Sequence, residues 1–316
     1  MSMNGSAGIA AAKVAAQHRP LLGALIMLAG LAMLPGMDAI AKYLAQHEHL
    51  PTVEIVWARF LFYVLAIAPF AFAKYGRGVF RPARPGLQLL RGLLFAGSAF
   101  AFFLAIARLP LADTMAVFFI YPLIILLTSA AVLGERIGAL RWAMVIAGFA
   151  GALLVIYASK HPAANVTIPQ SEIYLGDLFA LLSGAGYAFG MMATRRLAGH
   201  DPSLVTGVIS ALTGVVLYSF AVPLLWQAPS AMQWSWMVLL GVIAAAGHML
   251  LITAHRMATA AQLAPYGYAE IVSAIFFGLI VFGDWPAPIV WLGILVIVAS
   301  GVVVTWSNAK LDAEGG

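Results

Sequence analysis

Glu270 lies twelve residues from either end of an apolar run, Ala258–Phe282. A charge at the centre of a membrane helix costs about 2.5–3.5 kcal/mol on insertion scales, so each one needs a reason. Burial in hydrocarbon penalises the ionised form of an acid. A carboxyl placed there is suited to take up and release a proton, or to hold a cationic group of a solute. It could equally be a structural acid bonded to a neighbouring helix.

Asp38, Arg59 and Lys42 form a second constellation. Asp38 is six residues from the end of the run Leu21–Leu44, and Arg59 is six residues from the start of Val53–Phe72. At 1.5 Å per residue both lie roughly 9 Å deep, which permits a salt bridge between antiparallel neighbours. Lys42 is one helical turn after Asp38 and shares its face, with a stem long enough to snorkel outward. The set could be a gate, a solute contact or a static pair. His248 falls within the run Trp236–Ala254, where a neutral imidazole bonded across helices is expected, with a proton relay as the alternative. Trp57, Tyr121, Tyr187, Tyr266 and Tyr268 fall at inner depths and could stack on a planar solute or simply pack between helices. Pro122, beside Tyr121, removes a backbone donor and can leave a carbonyl free in a cavity wall.

The elements that must position these residues follow from composition. Of 316 residues, 63% are hydrophobic and only 9% are charged. A soluble domain carries about 25% charged residues, so most of this surface must face lipid. Runs of about 20 apolar residues cross a bilayer as helices. Ten fit: Leu21–Leu44, Val53–Phe72, Leu87–Ala107, Leu111–Leu133, Leu140–Ala158, Tyr174–Met192, Leu204–Trp226, Trp236–Ala254, Ala258–Phe282 and Pro288–Trp306. β-Barrel strands would be shorter and would alternate in polarity.

Thirteen of the seventeen Lys and Arg residues fall in alternate segments that begin with the N-terminal tail. Arg91 is counted among these loop charges. The bias puts both termini in the cytoplasm and supports an even number of helices. Five of the eight tryptophans lie near the opposite ends, as an interfacial belt would.

The net charge of +5 resides in loops, so it does not indicate nucleic-acid binding. There is no cysteine, which excludes thiolate nucleophiles and thiolate metal sites. No phosphate-binding G-x-x-x-x-G-K-[ST] motif is present, so ATP hydrolysis by this chain is not expected. His47-Glu48-His49 has metal-ligand types but no third ligand nearby, and no metal or cofactor is expected.

An offset of 149 residues superposes the ends of the two halves. Gly134-Glu135 meets Gly283-Asp284, Trp142 meets Trp291, and Tyr121 meets Glu270. Each half holds five helices, so the second must enter from the opposite side. Inverted repeats of this kind are the architecture of many secondary transporters, with a site near the midplane. The Gly-acid pairs read as helix stops followed by the first turn of the next helix, with gating as the alternative. Gly148 and Gly151, with Gly293 and Gly301, should let helices 5 and 10 pack closely at the periphery.

The segment Ala105–Thr114, then Tyr121-Pro122 and Gly134-Glu135-Arg136, resembles the EamA-type repeat of the drug/metabolite transporter superfamily. The segment from Ala264 to Glu270, then Phe282 to Pro286, looks like its partner, as do Asp38–Leu44 and Val56–Phe60. The resemblance implies an all-α integral membrane protein of ten transmembrane helices in two inverted five-helix repeats. Its expected divisions are a tail 1–19, a first repeat 20–158, a linker 159–173, a second repeat 174–307 and a tail 308–316. It further implies a transporter of small metabolites (amino-acid, nucleoside-like or vitamin-like) in the bacterial inner membrane, proton-coupled or exchanging. Its partners would be a small-molecule substrate and the bilayer, with no nucleic acid. A homodimer stays open. The alternative is an intramembrane enzyme acting on a lipid-linked substrate.

Overall fold

Chains this apolar can satisfy their backbone in lipid only within helices or closed barrels. In the computed structural model, residues 20–133, 139–159, 169–197, 200–258, 263, 266–267 and 269–314 are described, and among them there is helix and turn but no strand. The helices are α1 Pro20–Gln46, α2 Thr52–Tyr75, α3 Pro85–Ile106, α4 Leu111–Phe118, α5 Tyr121–Leu133 and α6 Ala139–Ser159. The second set is α7 Gln170–Leu197, α8 Ser203–Ser219, α9 Val222–Leu225, α10 Ala231–Met257, α11 Ala269–Phe277 and α12 Pro288–Glu314. Five of these, α1, α2, α3, α7 and α10, are long and apolar enough to span a membrane alone.

Three expected helices are not continuous. The run Leu111–Leu133 breaks at Phe119 and Ile120 into α4 and α5. Pro122 is the cause, because its nitrogen cannot bond the Phe118 carbonyl. That carbonyl instead packs on Gly184, where a Cβ would lie 2.8 Å from it. The run Leu204–Trp226 likewise ends at Ser219, just ahead of Pro223, and resumes as the short α9. Among the described residues of the run Ala258–Phe282, 266–267 are 3-10, α11 follows, and it passes into a π-helical stretch Gly278–Phe282. Glu270 therefore sits in the first turn of α11 rather than mid-helix.

The second set repeats the first. Pro20 and Gln170, Thr52 and Ser203, Pro85 and Ala231, and Ala139 and Pro288 open corresponding helices, each pair close to the 149-residue spacing. Packing repeats too. Helix α1 lies on α10 as α7 lies on α3, and α2 lies on α10 as α8 lies on α3. Helices α2 and α8, and α6 and α12, pair across the middle. This is the pattern that two inverted five-helix units produce.

Small residues set the spacing. Gly92 and Gly241, one repeat apart, hold α3 against α8 and α10 against α2. A Cβ on Gly92 would lie 2.6 Å from Thr213 Oγ1, and one on Gly241 would lie 2.3 Å from Phe62 Cβ. Helices α6 and α12 meet at Gly151 and Gly293, each of whose Cβ positions falls within 3 Å of the other's carbonyl oxygen. Ile146, Leu153 and Leu295 on these two helices are exposed, so the pair is peripheral, as expected from sequence. Gly134-Glu135 lies outside the described residues. Gly283 is left-handed, with φ of 71°, and it ends the π-helical stretch by donating to the Leu279 carbonyl at 3.0 Å.

Gly241→Val should strain the α2–α10 contact by about 1–3 kcal/mol. Its thermal unfolding midpoint in detergent should fall by several degrees. Gly97→Ala, whose Cβ would meet nothing within 4 Å, should leave the midpoint unchanged.

Candidate functional site

Arg59, on α2, is the centre of the polar interior. Its guanidinium lies 5.3 Å from the Phe103 ring and 5.8 Å from the Phe60 ring. Among the described residues no oxygen accepts a hydrogen bond from it, yet its nitrogens are not sealed off. A guanidinium deep in protein with unused donors must therefore face open space. The groups whose charge or dipole it feels are Asp38 and the phenols of Tyr63, Tyr187 and Tyr218.

Asp38 on α1 is only 4% exposed, and Arg59 is the cation that acts on it. The two do not form a contact ion pair among the described residues, so the expected salt bridge gives way to a longer-range attraction. Glu270 on α11 is half-buried and feels both Asp38 and Arg59. No hydrogen bond ties Asp38 or Glu270 to another described residue. Two carboxyls and one guanidinium thus act on one another without a direct bond among the described residues.

Aromatic rings form the facing wall. Tyr121 and Tyr187 meet edge to face at 4.8 Å, and Phe118 lies 5.2 Å from Tyr121 and 5.3 Å from Tyr187. The break at Pro122 turns α5 so that these rings cluster. The repeat explains the division of labour. Asp38 and Tyr187 are equivalent at the 149-residue offset, as are Glu270 and Tyr121. Symmetry-related positions carry acids from α1 and α11 on one side and phenols from α7 and α5 on the other.

Other sequence candidates fall elsewhere. Lys42 does not snorkel. It is 3% exposed, and its Nζ lies 2.7 Å from Asp284 and 4.4 Å from the centre of the Phe282 ring. Asp113, in the first turn of α4, adds a second negative charge beside it. Trp57 is nearer the bundle end, donating to Ser219 Oγ at 3.0 Å and stacking edge-on against Trp226. His248 Nδ1 lies 2.7 Å from the Ala244 carbonyl of its own helix rather than bonding across helices, and its ring meets Tyr63 edge-on at 5.6 Å. Tyr266 is exposed. Tyr268 lies outside the described residues.

Arg91, taken from sequence as a loop charge, is the residue that sequence reasoning missed. It is half-buried inside the bundle. Its Nε donates to Thr194 Oγ1 at 2.7 Å, and its Nη1 donates to the Thr206 carbonyl at 3.3 Å and to Ser210 Oγ. The signal was weak: Arg91 lies within the apolar run Leu87–Ala107, but close enough to its end to pass as interfacial.

A groove of about 580 Å³ opens between α1, α10 and α11, lined by Met33, Gly36, Ile40, Trp236, Phe277 and Val281. Its wall is apolar, and Asp38 projects from the opposite face of α1, so it does not contain the polar cluster.

The sequence matches the EamA-like transporter family twice, over residues 21–157 and 174–306. It is 27% identical to a riboflavin transporter of Vibrio cholerae, covering 94% of this chain and 98% of that protein. It is 26% identical to an S-adenosylmethionine uptake transporter of Rickettsia bellii (86% and 89% covered). It is 28% identical to a pseudopaline exporter of Pseudomonas aeruginosa (83% and 89%). A solved crystal structure superposes with a TM-score of 0.62 at 21% identity, covering 92% of this chain and 98% of that one, which supports the fold. Two matches to one family, on two sets of five crossings built around a shared polar interior, make this multi-pass membrane protein a transporter of small molecules rather than an enzyme, and a member of the EamA-like transporter family.

Proposed function

We propose that the protein carries a metabolite with an amino-acid head and a planar ring across the bacterial inner membrane by alternating access, coupled to protons or to exchange. Both termini lie in the cytoplasm, following the bias of Lys and Arg. The observation that carries the reading is the Arg59 guanidinium, without a protein acceptor, beside Asp38 and Glu270. A substrate carboxylate would complete the donors of Arg59 in the bidentate geometry that guanidinium favours. A substrate cation would lie between the two acids. The ring would stack on Tyr121, Tyr187 and Phe118.

The relatives support this chemistry without fixing it. S-adenosylmethionine has an amino-acid head, a cationic centre and a planar base. Riboflavin has the planar ring but no fixed charge to satisfy Arg59, so it fits the aromatic wall alone. Glu270 is the coupling group in this reading. Protonating it changes the charge that faces Arg59 by one, and so changes what the cavity will hold. The Lys42–Asp284 pair closes the end of the bundle remote from Arg91 by tying α1 to the turn before α12.

Proteoliposome flux of radiolabelled S-adenosylmethionine and of riboflavin tests the assignment. Saturable flux of the former is expected. Movement of riboflavin alone would remove the head-group part of the reading. Arg59→Gln should reduce the flux at least about tenfold, equivalent to about 1.4 kcal/mol. Glu270→Gln should insert normally but lose the dependence of flux on pH; an unchanged pH profile would exclude its coupling role.

The Lys42–Asp284 pair is tested by a double-mutant cycle on thermal unfolding, with Lys42→Met and Asp284→Asn. Coupling of about 0.5–3 kcal/mol is expected for residues in contact. Additive effects would mean that the pair does not hold that end shut.

A further inference from the structure

Arg91 is a second guanidinium inside the bundle, half-buried, and none of the interactions already described uses its charge. We propose that it forms a separate anion-binding station, nearer the basic end of the bundle, which takes the same carboxylate class as Arg59. The proposal rests on the reading of Arg59 as the first such station.

Three observations carry it. First, the charge is not cancelled. The acceptors of Arg91 are the Thr194 hydroxyl, the Thr206 carbonyl and the Ser210 hydroxyl, all of them neutral. No carboxylate among the described residues forms an ion pair with it. Hydroxyl and carbonyl dipoles fix a guanidinium in place, but they leave its full positive charge in the low-dielectric interior.

Second, one arm makes no bond among the described residues. Nε and Nη1 donate all the hydrogen bonds that Arg91 makes to them, and Nη2 donates none. The Phe95 ring lies 4.5 Å beneath the guanidinium and holds its plane. Gly92 lets α8 approach α3 at Thr213, and Gly190 lets α7 approach the Phe95 ring. A Cβ at Gly92 would be 2.6 Å from Thr213, and one at Gly190 would be 3.0 Å from the Phe95 ring. The donors are therefore preorganised toward an outside ligand.

Third, the two arginines lie on one path. Arg59 is seven residues from the start of α2, and Arg91 is six residues from the start of the antiparallel α3, so they are about 15 Å apart along the bundle. Tyr63 and Tyr187 lie between them and feel both guanidinium charges. Phe95 meets Tyr187 edge-on at 5.3 Å, which extends the aromatic wall from one station to the next. A carboxylate leaving Arg59 would find its next fixed cation at Arg91, with rings alongside for the planar part of the molecule.

The test is equilibrium dialysis of radiolabelled benzoate, a planar carboxylate, against the purified full chain in detergent. Two molecules should bind per wild-type chain. Arg91→Gln and Arg59→Gln should each bind one, and Arg91→Lys should keep two with one site about tenfold weaker. Monodisperse gel filtration of each variant guards against misfolding. A single site in wild type that Arg59→Gln removes and Arg91→Gln retains would overturn the second station and leave the first. Binding unaffected by either substitution, or no saturable binding, would overturn both.

Discussion

The structure depends on one unsatisfied interaction. Arg59 stands inside a membrane bundle with donors that no described protein atom accepts. Such a group costs about 2.5–3.5 kcal/mol even on the lenient insertion scale. The fold tolerates it because Asp38 and Glu270 lie near enough to offset the charge without bonding it. Direct ion pairs would stabilise the bundle more and would leave no place for a ligand. The interior is polar here because three charges act on one another without a direct bond among the described residues.

Duplication supplies the frame and divergence supplies the chemistry. Equivalent helices pack in equivalent pairs, and Gly92 and Gly241 close the same contact in each half. At the cavity the halves differ. The positions that carry Asp38 and Glu270 on one side carry Tyr187 and Tyr121 on the other. In the proposed reading, a molecule with a charged head and an apolar ring lies across such a site in one sense only. Two identical halves would lack that direction.

Breaks in the helices matter as much as the helices. Pro122 stops α4 at Phe118 and starts α5 at Tyr121, which turns Phe118 and Tyr121 toward Tyr187. In the second repeat Ile271 stands where Pro122 does in the first. The described helix α11 there runs Ala269–Phe277, with Glu270 in its first turn. Backbone polar groups at such breaks are tolerable at membrane depth only against protein or a wet cavity.

Hydropathy and charge bias gave the all-helical membrane class, the shared Gly-acid and Trp spacing gave the duplication, and depth in the apolar runs marked Asp38, Arg59 and Glu270 as costly residues in need of a purpose. Those properties sum along the chain, so they are written in it. Pairing is not, because a helical sequence specifies depth well but leaves open which neighbour each face will meet. Equal depth suggested an Asp38–Arg59 bridge, whereas packing put Lys42 on Asp284, 242 positions away. Arg91 had the depth of an interfacial charge, and only close approach of α3, α7 and α8 at glycine and threonine enclosed it. Which charges touch was decided by how near the small residues let the helices come.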